Sequence, residues 1–592
     1  MKKSANLVTR FLIWRRNNVS DSRFVNFLSI IVGFLTGLAA VFLKKMVHFV
    51  QELLTRGFLP QDFNLNYVIY PLIGIFLVLI FVRYGLRKTV GHGIPNVLYA
   101  IGKNSGIIKN YQMWASIVTS TITVGFGGSV GLEGPTVSTG AAIGSNLGRF
   151  LHLDFKSIIL LIGCASAGAM AAIFKAPIAA IIFAIEVLML DLTLTALVPL
   201  LIASVTATLV SYAFLGQMFL YDFQIEHTFK IEEVPFYVIF GVLAGFISLH
   251  FTRMYNYLDR LFDKIKGWFL RYIIGALILG LLIFLFPSFY GEGYDAIHSC
   301  LQGDYSYLYN HTIFFGLHEN RFVFITLFLA IILLKVVATQ ATFRSGGVGG
   351  IFAPSMFIGA NTGLFFASIL NYAWNSPVAT RNFALVGMAG LVAGVIHAPL
   401  TAIFLIAEIT GGYGLFMPLM IVSTISYGTI RFFEKNSVYT NQLAKRGELF
   451  THHKDKVVLS LLKVPDLLET NFKTVQKDAN LGDLVKVISK SKRNVFPVVD
   501  EENNFYGTVH LNDIRHVIFK PELYDSTPVS NLMNTPLATA SPDESMEDIV
   551  EKFQTTQHFN IPVIKDGKYL GFVSRANVLT KYRKLLKHFS ED

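Results

Sequence analysis

Glu133 sits in Gly131-Leu132-Glu133-Gly134-Pro135, an acid held between glycines just ahead of a proline in an apolar stretch. Two more breaks of similar make-up are Gly91-His92-Gly93-Ile94-Pro95 and Gly350-Ile351-Phe352-Ala353-Pro354. Glycine lets backbone amides approach a ligand closely, and proline starts a helix without wasting a donor. The first N–H groups of a helix lack internal partners and lie at the positive end of its dipole, so these breaks suit the binding of an anion. A carboxylate at such a terminus takes the anion's place: ionised it blocks the path, and protonated it can swing away. Gly125 to Gly131 is no dinucleotide fingerprint, because its third glycine is misplaced and no soluble βαβ unit surrounds it.

The elements that hold these breaks are membrane helices. Of 592 residues 53% are hydrophobic and 15% charged, with mean hydropathy +0.51, too apolar for a soluble chain. Stretches such as Val25 to Leu43, Tyr67 to Val82, Phe322 to Leu334 and Leu415 to Ile430 approach the length that crosses a bilayer. The two cysteines, Cys164 and Cys300, give neither a disulfide framework nor a metal site. The net charge of +11 resides in the apolar part, since residues 447 to 592 carry 19 basic against 20 acidic side chains. That pattern points to cytoplasmic anchoring of a polytopic protein rather than to nucleic acid.

Two blocks repeat. At an offset of 219, Gly127, Gly128, Gly131, Pro135, Gly140 and Ala141 match Gly346, Gly347, Gly350, Pro354, Gly359 and Ala360, with Glu133 opposite Phe352. At 222, Ala171, Ala176, Pro177, Ala180, Ile181 and Glu186 match Ala393, Ala398, Pro399, Ala402, Ile403 and Glu408. Interrupted spans at corresponding places in two halves mark a substrate site at their interface. The expected fold is a polytopic α-helical membrane domain over 25–445, built of two inverted repeats with broken helices (about 25–215 and 234–434). A cytoplasmic amphipathic segment, 1–24, precedes it. Beyond Lys445-Arg446 the hydropathy falls, and Phe496-Pro497-Val498-Val499 is echoed by Ile561-Pro562-Val563-Ile564. Residues 446–592 thus read as a cytoplasmic α/β tandem, with modules over about 460–520 and 526–586.

In combination, GxGIP, GxEGP, GIFAP and the late Tyr439 on a duplicated membrane domain resemble the CLC family of chloride channels and proton/chloride exchangers, and the tail resembles the paired CBS modules of many members. The resemblance covers essentially the whole chain. It implies a homodimer in the plasma or inner membrane with both termini cytoplasmic, a pore in each subunit, and Glu133 as the external gating glutamate. It implies an anion site formed around His92, Gly93, Ile94, Gly131, Leu132, Glu133, Gly134, Ile351, Phe352, Ala353 and Tyr439, with the Ile351 and Phe352 amides and the Tyr439 hydroxyl at its centre.

Three departures from the family pattern bear on function. His92 stands where the family usually has serine, so nitrate, another halide or fluoride stand beside chloride as the ion. A neutral imidazole donates one hydrogen bond, and an imidazolium strengthens anion binding. Leu132 replaces the usual basic residue beside the gate, and Val187 occupies the position of the exchangers' internal proton glutamate. Valine carries no proton, as in channel members, which favours passive conduction over proton-coupled exchange. Glu186 is matched by Glu408, which suggests a structural role in both halves. In the tail, the candidate nucleotide-binding residues are Asp513, Ser574 and Asn577. Neither module has the complete acid-plus-hydroxyl pair: His510 precedes Asp513, and Asn577 follows Ser574. Adenine nucleotide binding and a purely structural role both stay open. No metal or other cofactor is expected, and no nucleophile and base pair suggests an enzyme. A different class of protein, a membrane-anchored nucleotide sensor, would carry no anion at all.

Overall fold

The computed structural model describes residues 14–15, 17–55, 65–91, 93–102, 104–189, 194–217, 229–310, 312, 314, 316, 320–374, 378–411, 413–445, 459, 462–556 and 558–590. Most of the N-terminal segment, with Leu7, Phe11 and Leu12, lies outside them, as does His92. The chain divides into two compact units, Met1–Leu449 and Phe450–Asp592.

The first unit is all helical. Its first half comprises α1 (Asp21–Thr55), α2 (Asn66–Ile80, continued by a π turn), α3 (Ile94–Gly102), α4 (Gln112–Gly125), α5 (Glu133–Phe150), α6 (Phe155–Phe174), α7 (Pro177–Glu186) and α8 (Leu194–Leu215). The second half comprises α9 (Val234–Asp263), α10 (Trp268–Leu285), α11 (Tyr294–Gln302), α12 (Arg321–Ser345), α13 (Phe352–Trp374), α14 (Thr380–Ile396), α15 (Pro399–Ile409) and α16 (Phe416–Phe433), followed by α17 (Val438–Lys445). Among the described residues, nine helices are long and apolar enough to cross a membrane. The first begins at Asp21, inside the segment expected to precede it, and Arg15 pairs with that aspartate.

The halves repeat in packing as well as in order. Helix α1 packs on α8 as α9 does on α16, and α5 on α6 as α13 does on α14, while α2 meets α10 and α7 meets α15 across the repeats. Within lipid, helix contacts depend on close backbone approach rather than on the hydrophobic effect. Gly359 and Gly387 provide one: a methyl group on either would lie within 2.3 Å of the other's carbonyl oxygen. Local breaks repeat too. Lys175 and His397 end α6 and α14 with φ of 58° and 61°, and Pro177 and Pro399 then open α7 and α15, where a missing N–H costs nothing.

The second unit carries β1 (Val475–Gln476), α18 (Leu481–Ser489), β2 (Val495–Val499), β3 (Phe505–His510), α19 (Leu511–Ile514), α20 (Met546–Thr556), β4 (Asn560–Lys565), β5 (Lys568–Ser574) and α21 (Arg575–Ser590). In the first module β1 runs parallel to β2, and β2 pairs antiparallel with β3, Phe496 opposite Val509. In the second, β4 pairs antiparallel with β5, Ile561 opposite Val573. Both hairpins shift register at the same place, between Val498 and Val499 and between Val563 and Ile564, so the sequence echo is also a conformational one.

Candidate anion site

The two repeats meet at a pair of extended segments leading into α5 and α13. Gly131 and Gly350 exchange both backbone hydrogen bonds, at 2.9 and 2.7 Å. Two threonines brace this bridge symmetrically. Thr123 Oγ1 accepts the Val348 amide, and Thr342 Oγ1 accepts the Ser129 amide, each at 3.1 Å. Thr123 and Thr342 are themselves related by the 219 offset, as are Ser129 and Val348. Helices α5 and α13 therefore start side by side with their N-termini directed at common ground.

Glu133 occupies that ground. Its side chain is fully buried. Oε1 accepts the amide of Ala353, in the first turn of α13, while Oε2 is buried without a hydrogen-bond partner. The Tyr439 hydroxyl, at the start of α17, faces both the Glu133 carboxylate and the Ile351 amide but makes no regular hydrogen bond. An acid oxygen and a phenol oxygen are thus both buried and unsatisfied, an arrangement that costs free energy unless a partner enters. The fully buried Phe352 opens α13, its ring 5.9 Å from Phe183 and 6.5 Å from Phe174.

Several of the expected donors are engaged elsewhere. The Gly131 amide is taken by Gly350, the Leu132 amide faces the Glu292 carboxylate, and the Gly93 amide turns back to Gly91 oxygen at 3.0 Å. All three amides thus have partners within the protein. Gly93 still matters by packing: with φ of +57°, it lies so close to Gly134 that a methyl group there would fall within 2.9 Å of its backbone. Ile94 opens α3 and is buried. The side chain of Leu132 is buried as well. Among the residues expected at the site, the Ala353 amide meets the Glu133 carboxylate, with the Ile351 amide and the Tyr439 hydroxyl nearby.

Three charged residues were missed. Lys335 of α12 is fully buried; its Nζ donates to Ser129 Oγ at 2.9 Å and to Phe289 oxygen at 3.5 Å, and lies 4.5 Å from the centre of the Phe357 ring. It thereby ties α12 to the segment that leads into the bridge. Glu292 lies within electrostatic reach of Glu133 and of Lys44. Lys335 and Lys44 are conspicuous in sequence as lysines within apolar runs, whereas Glu292 carries no such signal.

At the other end of interest, Val187 caps α7, its amide bonded to Phe183 oxygen at 2.9 Å and its side chain buried. Its neighbour Glu186 reaches across to the second repeat. It accepts the Leu400 and Thr401 amides at 3.1 and 2.7 Å, and the Thr401 hydroxyl at 2.7 Å. Glu408 returns the contact, accepting the Ile178 and Ala179 amides at 3.1 and 2.8 Å. Each acid caps the opposite helix's N-terminus.

In the tandem unit, Ser574 donates to Glu469 and Asn577 Nδ2 to Leu467 oxygen at 3.3 Å. Asp513 accepts Asn534 Nδ2 at 3.0 Å. All three candidates have partners within the unit.

The model of the voltage gated chloride channel family matches residues 73–431, and that of the CBS domain matches 464–520 and 529–584. The chain is 30% identical over 397 residues to a putative chloride channel protein, ClcB-like, of Ralstonia nicotianae, covering 64% of this chain and 86% of the relative. It is 28% identical over 428 residues to the H(+)/Cl(-) exchange transporter ClcA of Vibrio campbellii, covering 69% and 86%. Among solved structures, a CLC-type fluoride/proton antiporter superposes with a TM-score of 0.58 at 26% identity, over 70% of this chain and 97% of that one. With two repeats meeting at a buried glutamate and this agreement over most of the membrane unit, the chain belongs to the voltage gated chloride channel family.

Proposed function

We propose that this protein exchanges a small anion, chloride first, for protons across the cell membrane, as a homodimer with a separate pathway in each subunit and both termini in the cytoplasm. The observation that carries the reading is the position of Glu133, whose carboxylate rests on the Ala353 amide where an anion would be received. Acid and anion compete for one seat, so the anion enters when the acid leaves, and the acid leaves most readily as a neutral group. Proton and anion movements are coupled by that exclusion. The names of the relatives support exchange, one being an H(+)/Cl(-) exchange transporter and one a fluoride/proton antiporter.

Passive conduction is the second reading, favoured by Val187, which offers no proton carrier on the inner side. Liposomes holding the full chain under a chloride gradient separate the two. Exchange moves protons against their gradient, and its reversal potential shifts when a pH gradient is added. A reversal potential that follows chloride alone overturns exchange, and absence of any anion flux would leave the membrane-anchored sensor. Repeating the assay in nitrate and fluoride identifies the preferred ion. The internal bonding of Ser574, Asn577 and Asp513 supports a structural role for the tandem unit over adenine nucleotide binding. Calorimetric titration with ATP, ADP and AMP tests it, and binding would overturn it.

A further inference from the structure

Tyr255, two turns before the end of α9, holds two other helices at once. Its carbonyl oxygen accepts Gln340 Nε2 of α12 at 2.8 Å, and its hydroxyl accepts Gln442 Nε2 of α17 at 3.2 Å. The next residue adds a second bond to α17, Asn256 Oδ1 accepting Asn441 Nδ2 at 3.1 Å. The Tyr255 ring is buried, stacked 6.2 Å from Phe251 and edge-on to Phe343 at 6.4 Å, so its hydroxyl is a fixed point. One turn further along α9, Asp259 accepts Arg344 Nη1 at 3.1 Å, and Asp263 pairs with the same guanidinium. Gln340 and Arg344 belong to the last two turns of α12, which leads through Gly346 and Gly350 into α13. The end of α9 thus supports both sides of the candidate anion site: the Ile351 to Ala353 amides follow α12, and Tyr439 opens α17.

Isolated helices shorter than about 12 residues are marginal even in favourable sequences, and α17 has eight. Its start is held locally by Ser437, whose Oγ accepts the Thr440 amide at 3.2 Å. The Tyr439 hydroxyl is buried without a hydrogen-bond partner, so its place is set by the helix that carries it. Gln442 follows Tyr439 by three positions, and the two side chains leave α17 on the same face. A bond at Gln442 therefore fixes the rotation of α17 about its axis, and the Asn441 bond beside it fixes the helix along α9. We propose that Tyr255 and Asn256 are positioning residues for the Tyr439 hydroxyl: through Gln442 and Asn441 they hold it where it can share one anion with the amides at the start of α13. This rests on the reading that Tyr439 and the start of α13 receive the anion. When the Tyr255–Gln442 bond is lost, α17 turns, the hydroxyl spends less time in place, and the anion binds more weakly. The movement of Glu133 that passes the anion on is left at its own rate.

The test is the chloride dependence of flux in liposomes holding the full chain, for wild type, Tyr255→Phe, Gln442→Leu, the two combined, Tyr439→Phe, and Tyr439→Phe with Tyr255→Phe. Tyr255→Phe keeps the buried ring and removes only the acceptor, and thermal melting in detergent checks that each variant is folded. The half-saturating chloride concentration is expected to rise about threefold to tenfold in each single variant at the anchor, the range of one lost hydrogen bond. It rises no further when the two are combined, because both remove the same bond, and maximal flux stays within about twofold of wild type, as for an interaction that serves binding. Once Tyr439 is phenylalanine, Tyr255→Phe has no effect. An unchanged half-saturation in Tyr255→Phe, whether or not maximal flux falls, or an equal rise in the Tyr439→Phe background, overturns the proposal. If Tyr439→Phe alone saturates with chloride as wild type does, the reading of Tyr439 as an anion ligand fails and takes the proposal with it.

Discussion

Glu186 and Glu408 cap each other's repeat: the carboxylate at the end of α7 accepts two amides at the start of α15, and the carboxylate at the end of α15 accepts two at the start of α7. The pairing shows that an acid next to the position of the family's internal proton glutamate can be wholly engaged in joining the halves. Replacing Glu186 or Glu408 by alanine is expected to cost about 1–2 kcal/mol each, the range of a lost N-terminal cap. Thermal melting in detergent checks it. The anion-to-proton ratio should not change in either variant.

Gly131 tests the crowding around the gate. A methyl group there would lie 1.9 Å from Glu133 Oε2, and the side chain is the part free to move. Gly131→Ala is therefore expected to push the carboxylate off the Ala353 amide. Anion flux at neutral pH should rise to near that of Glu133→Gln, with its pH dependence flattened.

Val187→Glu restores a carboxyl group at the inner position. The side chain is buried, so some stability is lost with the burial of a polar group. Proton uptake from the inner side should accelerate relative to anion flux, as read by the ratio of the two in liposomes. A ratio identical to wild type would show that protons pass Val187 by another route.

His510 makes the tandem unit sensitive to acid. Burial lowers its pKa below the ordinary value, and the His558 ring, stacked 6.0 Å away, adds to the shift, while the Asp513 carboxylate opposes it. The folded state thus prefers the neutral ring. Its contribution to stability is complete above the unfolded pKa of ~6.5 and is lost as pH falls through the lower folded value. The protection of β3 amides in the full chain, expressed relative to the intrinsic exchange rate at each pH, should fall between pH 7.5 and pH 5.5, and His510→Asn should remove most of that difference.

The architecture was legible because duplication leaves the same marks twice. The 219 offset that aligns Gly131 with Gly350 is realised as a hydrogen-bonded pair, and the 222 offset that aligns Glu186 with Glu408 as a reciprocal cap. Both acids could be read as structural from that symmetry. The candidate gate was legible because Glu133 breaks the symmetry, standing opposite Phe352. The fate of individual amides was not legible, since Leu132 faces a carboxylate 160 positions away that no repeat matches. Glu292 escaped for the same reason, because its surroundings come from folding distant segments together, whereas Lys335 could be seen as a lysine within an apolar run but its partner Ser129 could not.

The central claim is that Glu133 fills the seat of the transported anion. The most direct measurement is anomalous diffraction from crystals of Glu133→Gln soaked in bromide, beside wild type under the same conditions. The account predicts a bromide peak within hydrogen-bonding reach of the Ala353 amide in the variant, at the place the wild-type carboxylate holds, and no such peak in wild type at neutral pH. A glutamine still seated on Ala353 in saturating bromide, with the ion bound elsewhere, would contradict it.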